Sequence, residues 1–255
     1  VVGEMTPRPE PSPVEELQLD YDYNFLMVSQ IGPRKNFDNA VSWWIEEFFD
    51  QEVGLVIKTN IKNNSIIDYN HTIEQFENLV SKYKDRKCKV YLLHGDLSAS
   101  QMIWMYNHDK IKALVNISHG EGFGLPMFEA AREGMPIVTI GWSGQLDFLS
   151  HEGKNYFQEV DYTIQTVPAQ AVWDGVVQKD SMWAHADQGS YKMALRKTHK
   201  NWEKAKEVAT TLQSILEKEF DEEKMYSNFV RSINGEEEDL DNWLEELSSD
   251  LEEYE

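Results

Sequence analysis

The feature that most constrains the fold is an alternation of two kinds of segment between residues 25 and 162. Short runs of β-branched and aromatic residues alternate there with longer amphipathic stretches. This pattern is typical of βαβ units on a parallel sheet. It predicts an α/β fold, a Rossmann-like parallel sheet with helices on both faces. The predicted strands are 25–30, 53–59, 89–94, 113–118, 136–140 and 156–160, and the predicted helices are 38–49, 72–83, 98–107 and 126–133.

The segments on either side of this region differ in character. Residues 1–24 contain four prolines among acidic residues, which favours an extended lead-in or linker. From Asp187 onward the pattern is helical, so a domain of residues 25–235 would end in C-terminal helices. Residues 236–255 are strongly acidic but carry a leucine and tryptophan stripe, so an acidic tail and a docked terminal helix both remain open.

Local signals mark where the predicted helices begin and end. Asn36 or Asp38 can cap the first helix, Thr72 the second and Ser98 the third, since each supplies a side-chain oxygen. The fourth helix is bounded by Pro126 at its start and by Gly134 just beyond its end.

Charge and cysteine content narrow the class of partner. The chain has 24 basic and 45 acidic side chains, a net charge of −21. Such a field repels nucleic acid and anionic lipid, so no nucleic-acid partner is expected, and any anionic ligand needs a locally positive site. The single cysteine, Cys88, lies in an apolar run, and no stretch is long and apolar enough for a transmembrane segment. We therefore expect a cytoplasmic location.

One segment concentrates the candidate chemistry. His119–Glu129 follows a predicted strand and runs into a predicted helix, which is where open α/β sheets bind ligands. Gly120, Gly122 and Gly124 allow close backbone approach, and the first N–H groups of the helix, those of Leu125, Met127 and Phe128, can face an anion. Glu121 and Glu129 can accept hydrogen bonds from two pairs of hydroxyl groups.

The run Glu121–Ala131, followed by Gly134–Val138, resembles the Glu-x7-Glu signature of retaining GT-B glycosyltransferases, particularly glycosyltransferase family 4. The resemblance implies the C-terminal, donor-binding domain. It implies that Glu129 binds the donor ribose and that Glu121 contacts the donor sugar as a catalytic residue. It also assigns the sugar and diphosphate to backbone groups of the intervening loop, at Gly122, Phe123, Gly124 and Leu125.

A second stretch, Phe25–Asn36, resembles the first strand and phosphate loop of the same domain. The family's lysine matches Lys35, a catalytic candidate that would clamp the diphosphate. Gln30 stands where the family usually has arginine, and Arg34 is the substitute that the loop offers.

Weaker matches complete the resemblance. Leu97 follows a Gly-Asp turn as the family's base-binding residue does, and Gly141–Asp147 resembles a loop near the donor sugar. Lys58 can reach the same crevice, although a solvated strand end is the simpler reading. His119 and His94 are more simply structural than catalytic. No metal and no cofactor are implied.

The resemblance thus implies retaining transfer of a sugar from a nucleoside-diphosphate sugar to a hydroxyl acceptor of unknown identity. Few residues precede the first strand, so an N-terminal acceptor domain or a partner chain is expected to complete the enzyme. The alternatives are a nucleotide-sugar epimerase or phosphorylase of similar architecture, a non-catalytic nucleotide-sugar-binding module, and an interaction protein that has lost ligand binding.

Overall fold

The computed structural model describes residues 9–234 and contains a six-stranded parallel sheet with two small antiparallel pairs. The sheet strands run in the order β3-β2-β1-β4-β5-β8. All six predicted strands are present in it, which confirms the predicted sheet. The strands are β1 (Asn24–Val28), β2 (Gly54–Thr59), β3 (Lys89–His94), β4 (Ile111–Asn116), β5 (Ile137–Ile140), β6 (Ser150–His151), β7 (Lys154–Asn155), β8 (Gln158–Val160), β9 (Tyr162–Thr166) and β10 (Met182–Ala186).

The helices connect these strands and then continue to the end of the described chain. Short 3₁₀ helices cover Pro33–Lys35 and Ala169–Ala171. The α-helices are α1 (Phe37–Phe48), α2 (Ile66–Val80), α3 (Ala99–Asn107), α4 (Leu125–Arg132), α5 (Leu146–Leu149), α6 (Gln188–Lys200), α7 (Trp202–Glu219) and α8 (Glu222–Asn234).

The strand order determines where the helices lie. From β1 the chain moves outward to β2 and β3, then returns to β4 on the other side of β1 and continues to β5. Because crossovers between parallel strands are right-handed, α1 and α2 cover one face and α3 and α4 the other. The order reverses between β1 and β4, and the carboxyl ends of these two strands therefore define the crevice where a ligand is expected.

The core on the α1 face holds the first strand in place. Phe25 of β1 packs against Trp44 and Phe48 of α1, with ring centroids 6.2 and 5.4 Å apart. Tyr191 of α6 is fully buried in the same cluster, and its hydroxyl donates to the carbonyl of Ala40 at 3.3 Å. Parallel pairing with β4 places the carboxyl ends of β1 and β4 side by side.

Helix ends follow the predicted chemistry in part. Ser98 caps α3 through a reciprocal pair of bonds with Gln101, and Gly134 ends α4 at φ +64°, as predicted. The prediction for α2 was wrong. That helix begins at Ile66, six residues before Thr72, because the Ser65 hydroxyl accepts from the N–H of Asp68 at 3.1 Å.

The antiparallel pair β9 and β10, called the hairpin below, was not predicted from the sequence pattern. It lies between β8 and α6, and its register pairs Tyr162 with Ala186 and Thr166 with Met182. Four of the five side chains of β9 are exposed, whereas in β10 three are half-buried and Ala184 is fully buried. Strands with little one-sided burial lack the alternation by which a strand is recognised.

The described chain divides into two compact units, residues 9–214 and residues 215–234. The first contains the sheet and the site below, and the second contains the end of α7 and α8. Residues 9–23 form no helix or strand, as expected for an extended segment, but Val14 and Leu17 are buried, so this part is packed and not a free linker. The predicted acidic tail, residues 236–255, lies outside the described residues.

No helix in the described part of the chain combines the length and apolar character needed to cross a bilayer.

Candidate functional site

The segment after β1 carries two cations to the carboxyl edge of the sheet. Pro33 starts a 3₁₀ turn that contains Arg34 and Lys35, and Asn36 ends it in the left-handed region at φ 51°. Two bonds tie this turn to the end of β4: the N–H of His119 donates to the carbonyl of Arg34 at 2.8 Å, and the Asn36 amide donates to the carbonyl of Ile117 at 3.1 Å. The turn therefore has a fixed position beside the glutamate loop, residues 119–125.

Glu121 meets both cations. Its Oε1 lies 2.6 Å from Lys35 Nζ and 2.7 Å from Ser118 Oγ, and its Oε2 lies 2.8 Å from Lys35 Nζ and 2.9 Å from Arg34. Arg34 also donates to the carbonyl of Gly120. A carboxylate offers about four acceptor positions, and these four contacts occupy them. We call Arg34, Lys35 and Glu121 the clamp.

The charge of the clamp suits an anionic ligand. The Glu121 side chain is 7% exposed, and its burial raises the pKa, but hydrogen bonds from Lys35 and Arg34 outweigh burial and hold the pKa below its usual value. Glu121 is therefore ionised at neutral pH. Two cations face one carboxylate, which leaves the clamp positive within a strongly acidic chain. This meets the requirement for a locally positive site.

The start of α4 offers fewer free donors than predicted. The N–H groups of Met127 and Phe128 both donate to the carbonyl of Gly124, at 2.9 and 3.1 Å, so the prediction that they face a ligand was wrong. Pro126 has no N–H, and Leu125 provides the remaining donor at this helix start among the described residues. Gly124 adopts φ +91°, which favours glycine, and the ring of Phe123 packs into an aromatic cluster with Phe128 and Phe148.

The loop after β5, residues 141–147, is hydrogen-bonded to the glutamate loop. Ser143 Oγ accepts from the N–H of Glu121 at 2.8 Å and donates to its carbonyl, and the N–H of Gly144 donates to the same carbonyl at 3.1 Å. A Cβ at Gly144 would lie 2.0 Å from the carbonyl oxygen of Gly122. Sequence reasoning placed this loop near the donor sugar but did not identify its contact with Glu121.

Glu129 occupies a different environment from Glu121. It lies in α4 and accepts a hydrogen bond from the Tyr106 hydroxyl at 2.9 Å. Burial raises the pKa of Glu129, against smaller opposing effects of Tyr106 and of the Lys58 charge. Lys58 itself is half-buried at the end of β2. Tyr106 was missed, because its proximity arises from the packing of α3 on α4.

The predicted base-binding turn follows β3. Leu97 is half-buried there, after Gly95 at φ +96°. The neighbouring His94 lies 2.8 Å from Asp68, whose carboxylate also accepts the backbone N–H groups of residues 61–63. His94 is therefore structural, as expected, although its partner is a carboxylate and not the backbone. Gln30, in the family's arginine position, is exposed.

His119 is a structural link between the glutamate loop and the hairpin. Its Nδ1 donates to the carbonyl of Ala184 at 2.7 Å, and its carbonyl accepts the N–H of Ala184 at 3.2 Å. Its ring stacks on that of Trp183, 5.1 Å away and at 13°. Burial lowers the pKa of His119, so the ring is neutral at pH 7. These contacts support a structural role for His119.

Several known proteins resemble this chain. Residues 107–229 match the family described as family 4 glycosyltransferases in conflict systems. A comparison with curated proteins gives no match. Among solved structures, Anabaena HepE in complex with UDP and glucose superposes with a TM-score of 0.57 at 12% identity, covering 84% of this chain and 49% of HepE.

Two further structures show the same likeness. Sucrose-phosphate synthase from Thermosynechococcus elongatus gives a TM-score of 0.58 at 16% identity, covering 85% of this chain and 46% of its own. A glycosyltransferase from Rickettsia africae superposes with a TM-score of 0.58 at 12% sequence identity. The superposition covers 84% of this chain and 48% of the Rickettsia protein. The chain spans about half the length of these structures.

The sheet order, the clamp beside the glutamate loop and these superpositions define a GT-B glycosyltransferase fold. Within that class, residues 107–229 are similar to family 4 glycosyltransferases, which agrees with the resemblance found in the sequence.

Proposed function

We propose that this chain binds a nucleoside-diphosphate sugar and supports retaining transfer of the sugar to a hydroxyl acceptor. The observation that carries the proposal is the clamp: two cations from the β1 loop converge on the carboxylate that follows β4, beside the start of α4. HepE, a structural neighbour, is known in complex with UDP-glucose.

The clamp would stabilise the leaving group. As the bond between sugar and diphosphate breaks, negative charge grows on the diphosphate. Preorganised donors aimed at that charge lower the barrier, and Lys35, Arg34 and the N–H of Leu125 are the donors in this position. Gly122 and Gly124 let the backbone approach the same oxygens. Glu129 would accept the ribose hydroxyls and Leu97 would contact the base.

Two roles for Glu121 follow from its bonding. With its four acceptor positions occupied, Glu121 first acts as a positioning residue that holds Lys35 and Arg34 in place. A direct contact with a donor-sugar hydroxyl requires that Ser118 or one of the cations give up its bond. A bound diphosphate would allow this exchange of partners, because Lys35 and Arg34 would then bind its anionic oxygens and release Glu121.

The proposal also includes metal-independent chemistry, a cytoplasmic location and an acceptor domain supplied by a further segment or a partner chain. The buried free thiol of Cys88 suits a reducing compartment. Addition of EDTA to a turnover assay tests metal independence directly.

A thermal-shift screen against UDP, GDP and ADP, and then against their sugar conjugates, tests donor binding. Saturating ligand should raise the melting temperature of the chain, since only the folded state binds. Product analysis of the stabilising donor then separates transfer, with retained anomeric configuration, from epimerisation or phosphorolysis. Absence of any shift across the set would refute the proposal.

A non-catalytic nucleotide-sugar-binding module is the second candidate. The observation in its favour is that Glu121 already offsets one of the two positive charges of the clamp, which suits reversible binding without turnover. Donor binding without transfer or hydrolysis, in the presence of acceptors and any partner chain, would establish this alternative.

A further inference from the structure

A groove of about 880 Å³ opens on the α1 and α2 face of the sheet, next to the clamp but separate from it. Its rim includes Gly32 and Pro33 of the β1 loop, and His119 forms part of its wall. In the described chain, its lining leaves out Glu121, Glu129 and Lys35. Ligand sites have volumes of roughly 300–1,000 Å³, so the groove has room for more than one sugar ring. The lining residues that bear on a ligand are Asn36, Gln75, Asn78, Gln170, Trp183 and His185.

Carboxamide side chains dominate the polar lining. Asn36 and Asn39 bond to each other at 2.8 Å, while Gln75 and Asn78 project from exposed positions of α2 and Gln170 from the hairpin. Within the described residues, the amides of Gln75, Asn78 and Gln170 have no hydrogen-bond partner. Each amide both donates and accepts, which matches a hydroxyl group that does the same.

The groove is close to neutral, unlike the clamp. Among the described lining residues, Asp38 and Lys82 are the charged pair, and their charges offset each other. Burial lowers the pKa of His119 and of His185, so neither carries charge at neutral pH. A lining of this kind does not attract a phosphate or a carboxylate.

An indole supplies the apolar part of the lining. One face of Trp183 is covered by the His119 ring, and the side chain remains partly exposed in the groove. Flat aromatic surface together with amides is suited to a ligand that has apolar C–H faces and many hydroxyl groups.

We infer that this groove binds a neutral saccharide. We identify this saccharide as the sugar end of the acceptor, a step that rests on the proposed function. The reason is that His119 lines the groove and lies two residues before Glu121. The hairpin that forms one wall of the groove lies between β8 and α6 in the chain. Its contacts with His119 hold the wall against the glutamate loop.

Isothermal titration of the full chain with maltotriose, cellotriose and chitotriose tests the inference, with a galacturonic acid trimer as the charged comparison. At least one neutral trisaccharide should bind with a Kd of about 1 mM or tighter. The double variant Gln75→Ala/Asn78→Ala should weaken that binding by about tenfold. The matched control Glu74→Ala/Glu77→Ala, on exposed positions of the same helix outside the lining, should leave it unchanged.

Three outcomes would overturn the inference: no neutral trisaccharide binds, the Gln75→Ala/Asn78→Ala variant binds as well as the original chain, or the charged trimer binds more tightly. The thermal shift with nucleotides, measured on the same samples, keeps this result distinct from the proposed function. Saccharide binding without a nucleotide shift supports the groove and counts against the donor site. A nucleotide shift without saccharide binding does the reverse.

Discussion

Lys35 Nζ lies within hydrogen-bond distance of both carboxylate oxygens of Glu121, at 2.6 and 2.8 Å, although the two residues are 86 positions apart. The contact exists because β1 and β4 are neighbours in the sheet and both end at the same edge. The ammonium group is thereby held on one side of the crevice before any ligand arrives. This preorganisation is what a clamp for a growing negative charge requires.

Lys35→Ala should reduce turnover with the identified donor by at least about 100-fold, because it removes one preorganised donor from the leaving group. Steady-state kinetics measure the loss. Lys87→Ala, which removes an exposed lysine paired with Glu52, is the control and should retain the original rate. Turnover of Lys35→Ala within a few-fold of the original would contradict the assigned role.

Glu129→Gln should weaken donor binding, and it should also change the pH dependence. Burial raises the pKa of Glu129, so its ionised form is lost at a higher pH than for an exposed glutamate, about 4.3. Donor affinity should therefore fall as the pH drops toward that raised value. Calorimetry between pH 5 and 8 checks this. The acid limb should be missing in Glu129→Gln, and an unchanged limb there would show that another group titrates.

Gly144→Ala should destabilise the fold, whereas Gly122→Ala should weaken donor binding and leave the fold stable. The new Cβ at 144 would lie 2.0 Å from the carbonyl oxygen of Gly122, so the two loops must separate at a cost of about 1–3 kcal/mol in unfolding free energy. At 122 a Cβ meets nothing within 4 Å, so the fold should persist while the donor loses close backbone approach. Urea unfolding and nucleotide titration distinguish these effects, and equal stability of both variants would contradict the close approach of the two loops.

Stability should fall on mild acidification. Burial is the main cause that lowers the pKa values of His108, His119, His185 and His199 in the folded chain. The unfolded chain binds protons at those positions at about pH 6.5, before the folded chain does. The stabilisation is complete above that pH and is lost as the pH falls through the lowered values.

Urea midpoints at pH 7.5 and 5.5 measure this pH effect. The midpoint should be lower at pH 5.5, and His185→Gln, which keeps a neutral polar side chain, should reduce the difference. A midpoint that stays constant or rises on acidification would be inconsistent with neutral buried histidines.

The parts of the fold that could be predicted have strong local signals. The six sheet strands were recognisable because they are apolar runs buried in the sheet, and Ser98 because its capping chemistry lies within four residues. The hairpin was missed because its strands bury little, and the first turn of α2 was missed because Ile66 and Ile67 are exposed there, which interrupts the amphipathic pattern. The hydrophobic periodicity of a segment reflects which of its residues are buried. Burial is a property of the folded state, so a segment that buries little gives no such pattern.

The same distinction applies to the site. Glu121, Glu129 and Lys35 could be proposed from the sequence because each lies in a contiguous stretch that resembles the family, the glutamates in 121–131 and the lysine in 25–36. Ser143 and Tyr106 could not, because each reaches its glutamate across 22 or 23 residues through packing that no local pattern encodes. The saccharide groove combines residues from several distant segments, so no local pattern in the sequence indicates it.

The alternation of side chains between the two faces of β10 limits where the chain can tolerate added residues. Successive side chains of a strand point to opposite faces, so a shift of one residue would replace both Trp183 and His185 beside His119 by their neighbours. Insertions at the tip of the hairpin, around residues 173–177, leave that register intact. Natural or engineered variation in length is thus tolerable at the tip, whereas a single added residue within the strand would disconnect the wall of the groove from the loop that carries Glu121.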